Sequence, residues 1–302
     1  MSKLTEIVQY LKINGLNIPT KQVADVLGVS KRHVRRVRAK LKNNEIHVPR
    51  ILLLDIETLP MEVLVWGLYE QRIPPSNVIK SWSILCWQAK WLYENKFYGE
   101  YVSGAEAVVR MDESILSTLH DLLDEADIVI AFNGKRFDLK RIKTRFILNG
   151  FTPVSPYIIL DPILIARKQF SFYSNSLDEL AKQLGVARKQ HTEYKLWYDS
   201  AIHGDGKSIK YLFDYCKQDV LVLEEVYSKL APWANSHPNL ALYVETDEEI
   251  CPVCGSKDLK WNGFYYTTIN KYRAFRCEKC GAIGRKRTSE KITKPSVVST
   301  AR

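Results

Sequence analysis

Short apolar stretches, either alternating with polar residues or continuous, recur along the central two-thirds of the chain. They predict strands at 51–56, 63–69, 82–92, 96–102, 127–132 and 157–160. Apolar residues spaced three and four positions apart predict helices at 112–125, 136–148, 161–168, 176–184 and 207–229. Successive strands followed by strand–helix units predict an α/β domain, in which a mixed sheet carries helices on both faces.

The N-terminal segment follows a helical pattern. A helix through Leu27 is interrupted at Gly28, and Ser30 is placed to cap a basic helix from Lys31 to about Leu41. Two helices joined by a short glycine-containing turn are typical of a helix-turn-helix, here predicted for residues 1–45. The apolar stripe of the second helix consists of Val34, Val37 and Leu41.

The basic side chains of this second helix are then available for phosphates or base edges. They are Lys31, Arg32, Arg35, Arg36 and Arg38. A helix-turn-helix with such a basic face predicts contact with nucleic acid, including contact with a duplex. A small helical module with a solvated basic face remains the alternative.

The net charge of +10 is unevenly distributed along the chain. Residues 1–50 hold 11 Lys and Arg against 3 Asp and Glu, and residues 251–302 hold 12 against 3. Residues 51–250 hold 21 against 28, a net charge of −7. An acidic centre between basic ends suits a carboxylate-lined metal site whose flanking modules attract a polyanion, although basic solvated ends give the same totals.

Composition indicates an ordinary globular protein, with 46% hydrophobic residues. No apolar run approaches the length of about 18 residues that a transmembrane helix requires, so we expect no membrane contact. The N-terminal sequence lacks the long apolar stretch and small-residue cleavage site of a secretory signal. We therefore expect a cytoplasmic protein, which for a phage-encoded one means the host cytoplasm.

The first predicted strand contains two carboxylates among apolar residues. The stretch "ILLLDIETLP" places Asp55 and Glu57 two positions apart, so both side chains point to the same face of the strand. Two neighbouring anions repel each other unless a cation lies between them, and a divalent metal ion is the obvious candidate. Asp138 is expected at the start of a helix directly after a strand, and Tyr215 and Asp219 one turn apart on the last helix.

In this order and on these elements, the residues resemble the three motifs of the DEDD exonuclease superfamily, tyrosine subtype. "LLLDIET" resembles the first motif, "DIVIAFNGKRFD" the second and "YCKQDVLVLEEVY" the third, and "SNSLDELAKQLGV" resembles the helix between the last two. The closest likeness is to the proofreading exonuclease domain of family B DNA polymerases and its stand-alone relatives. Asp214 occupies the position where the histidine subtype requires histidine, so Tyr215 indicates the tyrosine subtype.

The resemblance implies a ribonuclease H-like fold for residues 50–232 and a two-metal mechanism. By this resemblance Asp55, Glu57, Asp138 and Asp219 hold two Mg²⁺ or Mn²⁺ ions, which prefer hard oxygen ligands. Tyr215 is expected to orient the attacking water, because a phenol of pKa about 10 is a poor proton acceptor at neutral pH. The alternative is a fold that has kept its shape and lost activity.

Two further motif residues, Asn133 and Phe137, are expected to shape the pocket and position the terminal nucleotide. Packing explains Phe137 equally well.

Four of the six cysteines form two CxxC pairs near the C-terminus, separated by 22 residues and each followed by glycine. Cys251, Cys254, Cys277 and Cys280 resemble a zinc ribbon, predicted for residues 248–288, that binds one structural Zn²⁺. Cys86 and Cys216 lie in apolar surroundings and are interpreted as core thiols. The polar residues 289–302 predict a disordered tail.

Taken together, the sequence predicts a metal-dependent 3′→5′ exonuclease for the 3′ end of single-stranded nucleic acid, with DNA favoured over RNA. The whole arrangement, with a helix-turn-helix before the nuclease and a ribbon after it, resembles phage-type stand-alone exonucleases. Two alternatives stay open: an exoribonuclease that trims the 3′ ends of RNA, and a non-catalytic nucleic-acid-binding regulator. Nothing in the sequence reads or excludes a 2′-hydroxyl.

Overall fold

The structure, a computed structural model, describes residues 3–15, 18–41, 49–186, 192–243 and 248–290. One compact unit comprises the described residues up to 41 and those from 50 to 227. The other comprises Pro49 and the described residues from 228 onward. Most of the predicted tail, residues 291–302, lies outside the described ranges.

The α-helices of the described chain agree with most of those predicted. They are α1 (Lys3–Asn14), α2 (Thr20–Leu27), α3 (Lys31–Leu41), α4 (Gly104–Val109), α5 (Leu116–Glu125), α6 (Asp138–Leu148), α7 (Pro162–Gln169), α8 (Leu177–Gln183), α9 (Tyr194–Tyr198) and α10 (Gly206–Leu230). Short 3₁₀ turns cover Pro75–Asn77, Glu113–Ile115, Ala231–Trp233 and Leu240–Leu242, and a π-helical turn covers Asp199–His203. Within these ranges no helix combines the length and apolarity needed to cross a bilayer.

The β-strands form three sheets. They are β1 (Ile51–Leu59), β2 (Glu62–Val63), β3 (Val78–Lys80), β4 (Ser83–Trp91), β5 (Phe97–Tyr101), β6 (Ile128–Ile130), β7 (Ile158–Leu160), β8 (Leu259–Tyr266), β9 (Lys271–Cys277) and β10 (Ile283–Arg285). The first unit contains the main sheet, with strand order β5-β4-β1-β6-β7. Its β4 and β5 are antiparallel to their neighbours, whereas β6 and β7 run parallel to β1, so the sheet is mixed as predicted.

The core of the first unit lies between this sheet and its helices. Leu52, Leu54 and Ile56 of β1 pack with buried residues of β4, which is buried over its whole length. Apolar residues of α5, α6 and α10 complete the same cluster. Burying each large aliphatic side chain contributes about 1.5–3 kcal/mol to the free energy of unfolding. Strand β1 is therefore fixed by pairing on both edges and by apolar packing on the face of Leu52, Leu54 and Ile56.

One predicted strand, 63–69, is wrong. Only Glu62 and Val63 enter a strand, and they pair with β3 in a two-residue ladder. The following residues are mostly apolar but find no further partner strand among the described residues, and Trp66 is fully exposed. Helix α4 was not predicted, although its capping box is readable in the sequence: Ser103 accepts from the Glu106 amide, and the Glu106 carboxylate accepts from the Ser103 amide.

The N-terminal helices have the local structure that the sequence predicted. Gly28 ends α2 in the left-handed conformation, with φ of 56°. Ser30 caps α3 by accepting a hydrogen bond from the His33 amide at 3.2 Å. Residues of α1, α2 and α3 form a small apolar core, consisting of Ile7, Leu11, Val23, Ala24, Val34 and Val37. These helices belong to the same compact unit as the main sheet.

The second unit contains a three-stranded antiparallel sheet with the order β10-β9-β8. Phe275 and Cys277 of β9 are buried on one face of this sheet. Gly284 of β10 lies opposite Phe275, and a Cβ atom at Gly284 would come within 2.3 Å of the Phe275 ring. The glycine is therefore needed for the aromatic ring to pack against β10.

Candidate active site and metal sites

Three carboxylates converge where β1 meets α10. Oxygen atoms of Asp55, Glu57 and Asp219 all lie within 4.8 Å of one another. Asp55 and Glu57 share one face of β1 because they are two residues apart. The pairing of β1 with β4 shifts register between Glu57 and Thr58, a bulge that lies directly beside the cluster. Three close carboxylates are a donor set that suits hard divalent ions such as Mg²⁺ or Mn²⁺.

Tyr215 lies one helical turn before Asp219 on α10 and is almost completely buried. Its ring makes an edge-on contact with Trp197, with ring centroids 6.5 Å apart. Tyr215, Asn133 and Phe137 line the same cavity as the three carboxylates, and this cavity has a volume of about 730 Å³. The structure therefore brings together the residues of all three sequence motifs.

Asp138 lines this cavity too, but it is not part of the three-carboxylate cluster. It is the first residue of α6 and only 3% exposed. Burial raises the pKa of Asp138 to about 7, and the charge of Asp161 acts in the same direction. The ionised form is therefore disfavoured in the metal-free protein, and a cation in the cavity would relieve that cost.

This burial predicts a pH dependence of stability. Unfolded chains lose the Asp138 proton near pH 3.8, whereas the folded protein keeps it up to about pH 7. The folded state therefore binds more protons between these values, and its stability falls as the pH rises through this window. We expect the thermal midpoint of the first unit to fall by a few degrees from pH 4 to pH 8 in magnesium-free buffer. Asp138→Asn should reduce this fall, and an unchanged slope in that variant would contradict the assignment.

The turn between β6 and α6 carries Asn133 into the cavity. Asn133 adopts the left-handed conformation, with φ of 56°. The backbone N–H of Asn133 donates a hydrogen bond to Oδ1 of Asp161 at 2.9 Å, and the same oxygen accepts a hydrogen bond from the backbone N–H of Ile163 at 3.2 Å. A Cβ atom at Gly134 would lie 2.3 Å from the Ala131 Cβ, so only glycine fits the turn. Asp161 thus holds the second motif in place, a role that the sequence analysis missed.

A cation packs beside Phe137. The Arg141 guanidinium lies 4.4 Å from the centroid of the Phe137 ring and 4.6 Å from that of Trp82. Burial lowers the pKa of Arg141, while Asp138 opposes this shift. The stack fixes the Phe137 ring at the cavity rim, where Phe137 is 37% exposed. Neither Arg141 nor Trp82 was singled out by the sequence analysis.

Cys216 contacts the cluster from the core side. Its Sγ lies 3.3 Å from both the backbone oxygen and Oδ2 of Asp55. Burial raises the pKa of the Cys216 thiol, so the proton stays on sulfur and can be donated to the carboxylate. Cys216 is buried as expected of a core thiol, and in addition it orients Asp55.

Cations of α3 that were predicted to contact substrate form ion pairs within the chain. Lys31 pairs with Asp121, and Arg35 pairs with Glu125 at 3.2 Å. Arg32 and Arg36 both pair with Asp127, the latter at 3.2 Å. Asp127 is 1% exposed and also accepts a hydrogen bond from the Arg50 amide at 2.9 Å. The basic face of α3 therefore lies against acidic side chains at the end of α5 and the start of β6 in the same unit.

The four C-terminal cysteines lie together in the second unit. Their sulfur atoms are all within 4.8 Å of one another, with 3.7 Å between Cys251 and Cys280 and 3.6 Å between Cys254 and Cys277. A tetrahedral site with Zn–S bonds of about 2.3 Å gives S···S distances of about 3.8 Å, so the arrangement fits Zn²⁺. The amides of Gly255 and Gly281 close the two turns, by donating to the first cysteine of each pair at 2.9 Å.

A family model and a solved structure are each similar to part of this chain. Residues 89–231 match a family model described as the RNase_H superfamily. No curated protein matches the chain. The family B DNA polymerase from the hyperthermophilic archaeon Pyrobaculum calidifontis is similar over 61% of this chain, with 17% identity and a TM-score of 0.46. The similarity spans 25% of the polymerase chain.

The mixed five-stranded sheet and the family-model match identify the fold of the first unit as ribonuclease H-like, which confirms the predicted fold class. The matched residues include Asp138, Tyr215 and Asp219 but begin after Asp55 and Glu57. The assignment of Asp55 and Glu57 to the site therefore depends on the geometry of β1 and not on the family-model match. This fold, with an acidic cluster at the carboxyl end of its central strand, supports a nuclease acting on nucleic acid.

Proposed function

We propose that the protein is a metal-dependent 3′→5′ exonuclease of the DEDD superfamily, tyrosine subtype, that hydrolyses single-stranded nucleic acid, with DNA favoured. One observation carries the proposal: Asp55, Glu57 and Asp219 converge in a cavity that Asp138 and Tyr215 also line. The 3′→5′ polarity and the subtype rest on the likeness of the three motifs. The combination of N-terminal helices, nuclease and ribbon supports a phage-type stand-alone enzyme acting in the cytoplasm.

In this proposal Asp55, Glu57, Asp138 and Asp219 hold two Mg²⁺ or Mn²⁺ ions. Two such ions stabilise charge on a phosphate and lower the pKa of an attacking water. The Tyr215 hydroxyl orients that water by a hydrogen bond, and the T-shaped contact with Trp197 restrains its ring. Cations bound in the cavity would favour the ionised form of Asp138, because their charge would offset the cost of burying the carboxylate.

The terminal nucleotide is positioned by the rim of the cavity. We assign this role to Asn133, held by the turn that Asp161 anchors, and to Phe137, whose ring is fixed by Arg141. An aromatic ring that is partly exposed beside a cation is suited to stacking on an unpaired base. This arrangement supports a single-stranded end over a duplex in the cavity.

For α3 we propose a contact with the phosphates of a flanking duplex. Phosphate oxygens would replace Asp121 and Glu125, whose side chains are 48% and 28% exposed, as partners of Lys31 and Arg35. Arg32 and Arg36 share the buried Asp127 and are more firmly engaged. Lys31 and Arg35 should therefore contribute more than Arg32 and Arg36 to duplex affinity.

We further propose that the four cysteines of the second unit hold one structural Zn²⁺.

A strand labelled at its 5′ end tests the function. Single strands of DNA and RNA are incubated with Mg²⁺, without Mg²⁺, and with Asp55→Ala protein. We expect a magnesium-dependent ladder of labelled products that shortens from the 3′ end and is absent with the variant. Immediate release of a labelled mononucleotide would instead indicate attack from the 5′ end.

Comparing the DNA strand with the RNA strand distinguishes the remaining alternatives. A ladder on RNA alone would make the protein an exoribonuclease that trims 3′ ends. Tight binding without cleavage of either strand by folded, magnesium-loaded protein would overturn the enzyme and favour a nucleic-acid-binding regulator.

A further inference from the structure

The sheet of the second unit has two faces with different surroundings. On one face lie Trp261 and Phe275, which contact each other edge-on, and Cys277, which belongs to the cysteine cluster. The cross-strand pairs identify the residues of the other face, since directly paired residues point to the same side. This second face, which we call the ribbon face, consists of Lys260, Tyr265, Tyr272, Arg276, Ile283 and Arg285.

Three basic side chains lie on the ribbon face, two of them at the end away from the tyrosines. Lys260 pairs directly with Arg276 across β8 and β9, and Arg285 lies on the neighbouring strand β10. All three side chains are exposed, and none of them forms an ion pair with a carboxylate in the described part of the chain. The nearby carboxylates Glu248 and Glu249 pair with Lys257 and Lys286, which are not on this face. The ribbon face therefore carries three exposed cations, and the exposed carboxylates Asp258 and Glu278 lie next to Lys260 and Arg276 at the end of the same strands.

Aromatic rings occupy the other end. Tyr265 and Tyr272 are a direct cross-strand pair, and Tyr265 is 53% exposed. The Arg285 guanidinium lies 3.9 Å from the centroid of the Tyr272 ring and 5.3 Å from that of Tyr265. This stack places a planar cation over two phenol rings, and its outer surface is available to a further planar group.

We propose that the ribbon face binds single-stranded nucleic acid. Its cations contact the phosphates, and unpaired bases stack on Tyr265, Tyr272 and the guanidinium plane of Arg285. A duplex would use the cations only, because its bases are stacked on one another and do not meet ring faces. An acidic protein segment would likewise use the cations and leave the rings uncovered. This binding site is independent of the proposed cleavage in the first unit.

The test uses the full-length chain carrying Asp55→Ala, so that a bound strand is not degraded even if the exonuclease proposal is correct. Binding of a fluorescent oligothymidine is measured by anisotropy over a range of salt concentrations. Lys260→Gln, Arg276→Gln and Arg285→Gln together should weaken binding. The slope of log K against log[salt] should become shallower by about 2, since each lost contact with a single strand removes about 0.7.

The aromatic pair is tested separately. Tyr265→Ala with Tyr272→Ala should weaken binding about tenfold or more, while leaving the salt slope unchanged. The matched controls are Tyr266→Ala and Arg273→Gln, which lie on the same strands with side chains on the opposite face. They should bind as the parent chain does. Zinc content of every variant shows that the ribbon is folded.

Four results would overturn the proposal. Controls that weaken binding as much as the ribbon-face variants would remove the assignment to this face. Duplex binding as tight as single-strand binding would remove the stacking role. Displacement of the oligothymidine by polyglutamate at equal charge concentration would indicate a general site for anions. Ribbon-face variants that bind zinc and keep the affinity of the parent chain for oligothymidine would also contradict the proposal.

Discussion

Asp219→Asn is expected to reduce magnesium-dependent cleavage by roughly a thousandfold. Asp219 supplies the carboxylate that α10 brings to Asp55 and Glu57 of β1, and the substitution removes one negative charge from the donor set. Metal ions contribute several kcal/mol of transition-state stabilisation in nucleases of this kind. A loss of about 4 kcal/mol corresponds to a thousandfold in rate.

The matched control for this variant lies on the same helix. Asp214→Asn also removes a carboxylate from α10, but Asp214 is half exposed and pairs with Lys210 at 2.9 Å. Its activity should remain within about twofold of the parent, since exposed pairs contribute less than about 1 kcal/mol. The cleavage activity of Tyr215→Phe should lie between the activities of these two variants, because the substitution removes an orienting hydroxyl but no proposed metal ligand. Equal losses in Asp214→Asn and Asp219→Asn would contradict the proposed cluster.

Cys277→Ser is expected to unfold the three-stranded sheet of the second unit. This sheet has little apolar core beyond Trp261 and Phe275, so the free energy of metal binding supplies most of its stability. Structural zinc in small modules contributes about 10–16 kcal/mol. Serine is a poor zinc ligand, and we expect bound zinc to fall from one per chain to none. Hydrogen exchange over 259–285 should then become fast.

The replacement Cys277→His provides the control. Histidine keeps a ligand type that zinc accepts in sites with three cysteines. Zinc should be retained with lower affinity, and amide protection over β8 and β9 should persist. Cleavage by the first unit should continue in both variants if that unit folds by itself. Full protection in a zinc-free Cys277→Ser chain would show that the sheet is stable without metal.

Much of the first unit could be predicted because its signals are local. Four consecutive apolar residues before Asp55 predicted β1, and the regular apolar spacing of 207–229 predicted α10 within one residue at each end. The motif likeness predicted that Asp55, Asp138 and Asp219 share one site, and all three line one cavity. The separation of Asp138 from the other three carboxylates depends on how α6 packs, and no spacing in the sequence encodes it.

The unpredicted features depend on partners far away in the chain. The stretch 63–69 is almost continuously apolar, as a buried strand is, but only Val63 of this stretch pairs with β3. The cations of α3 are readable as a basic face, whereas Asp121 and Asp127 lie about 90 residues further along. Asp161 anchors Asn133 across 28 residues. Such pairings exist only once the fold is known.

The ion pairs of α3 have a consequence for how tightly this helix can bind any external anion. Since the cations and their carboxylates belong to one chain, the carboxylates act as an intramolecular competitor with a high effective concentration. A phosphate backbone must displace this competitor, so α3 will bind more weakly within the whole chain than its charge alone suggests. Only a strand that also occupies a second site on the protein gains enough free energy to open the pairs. The chain thus discriminates against polyanions that touch α3 alone.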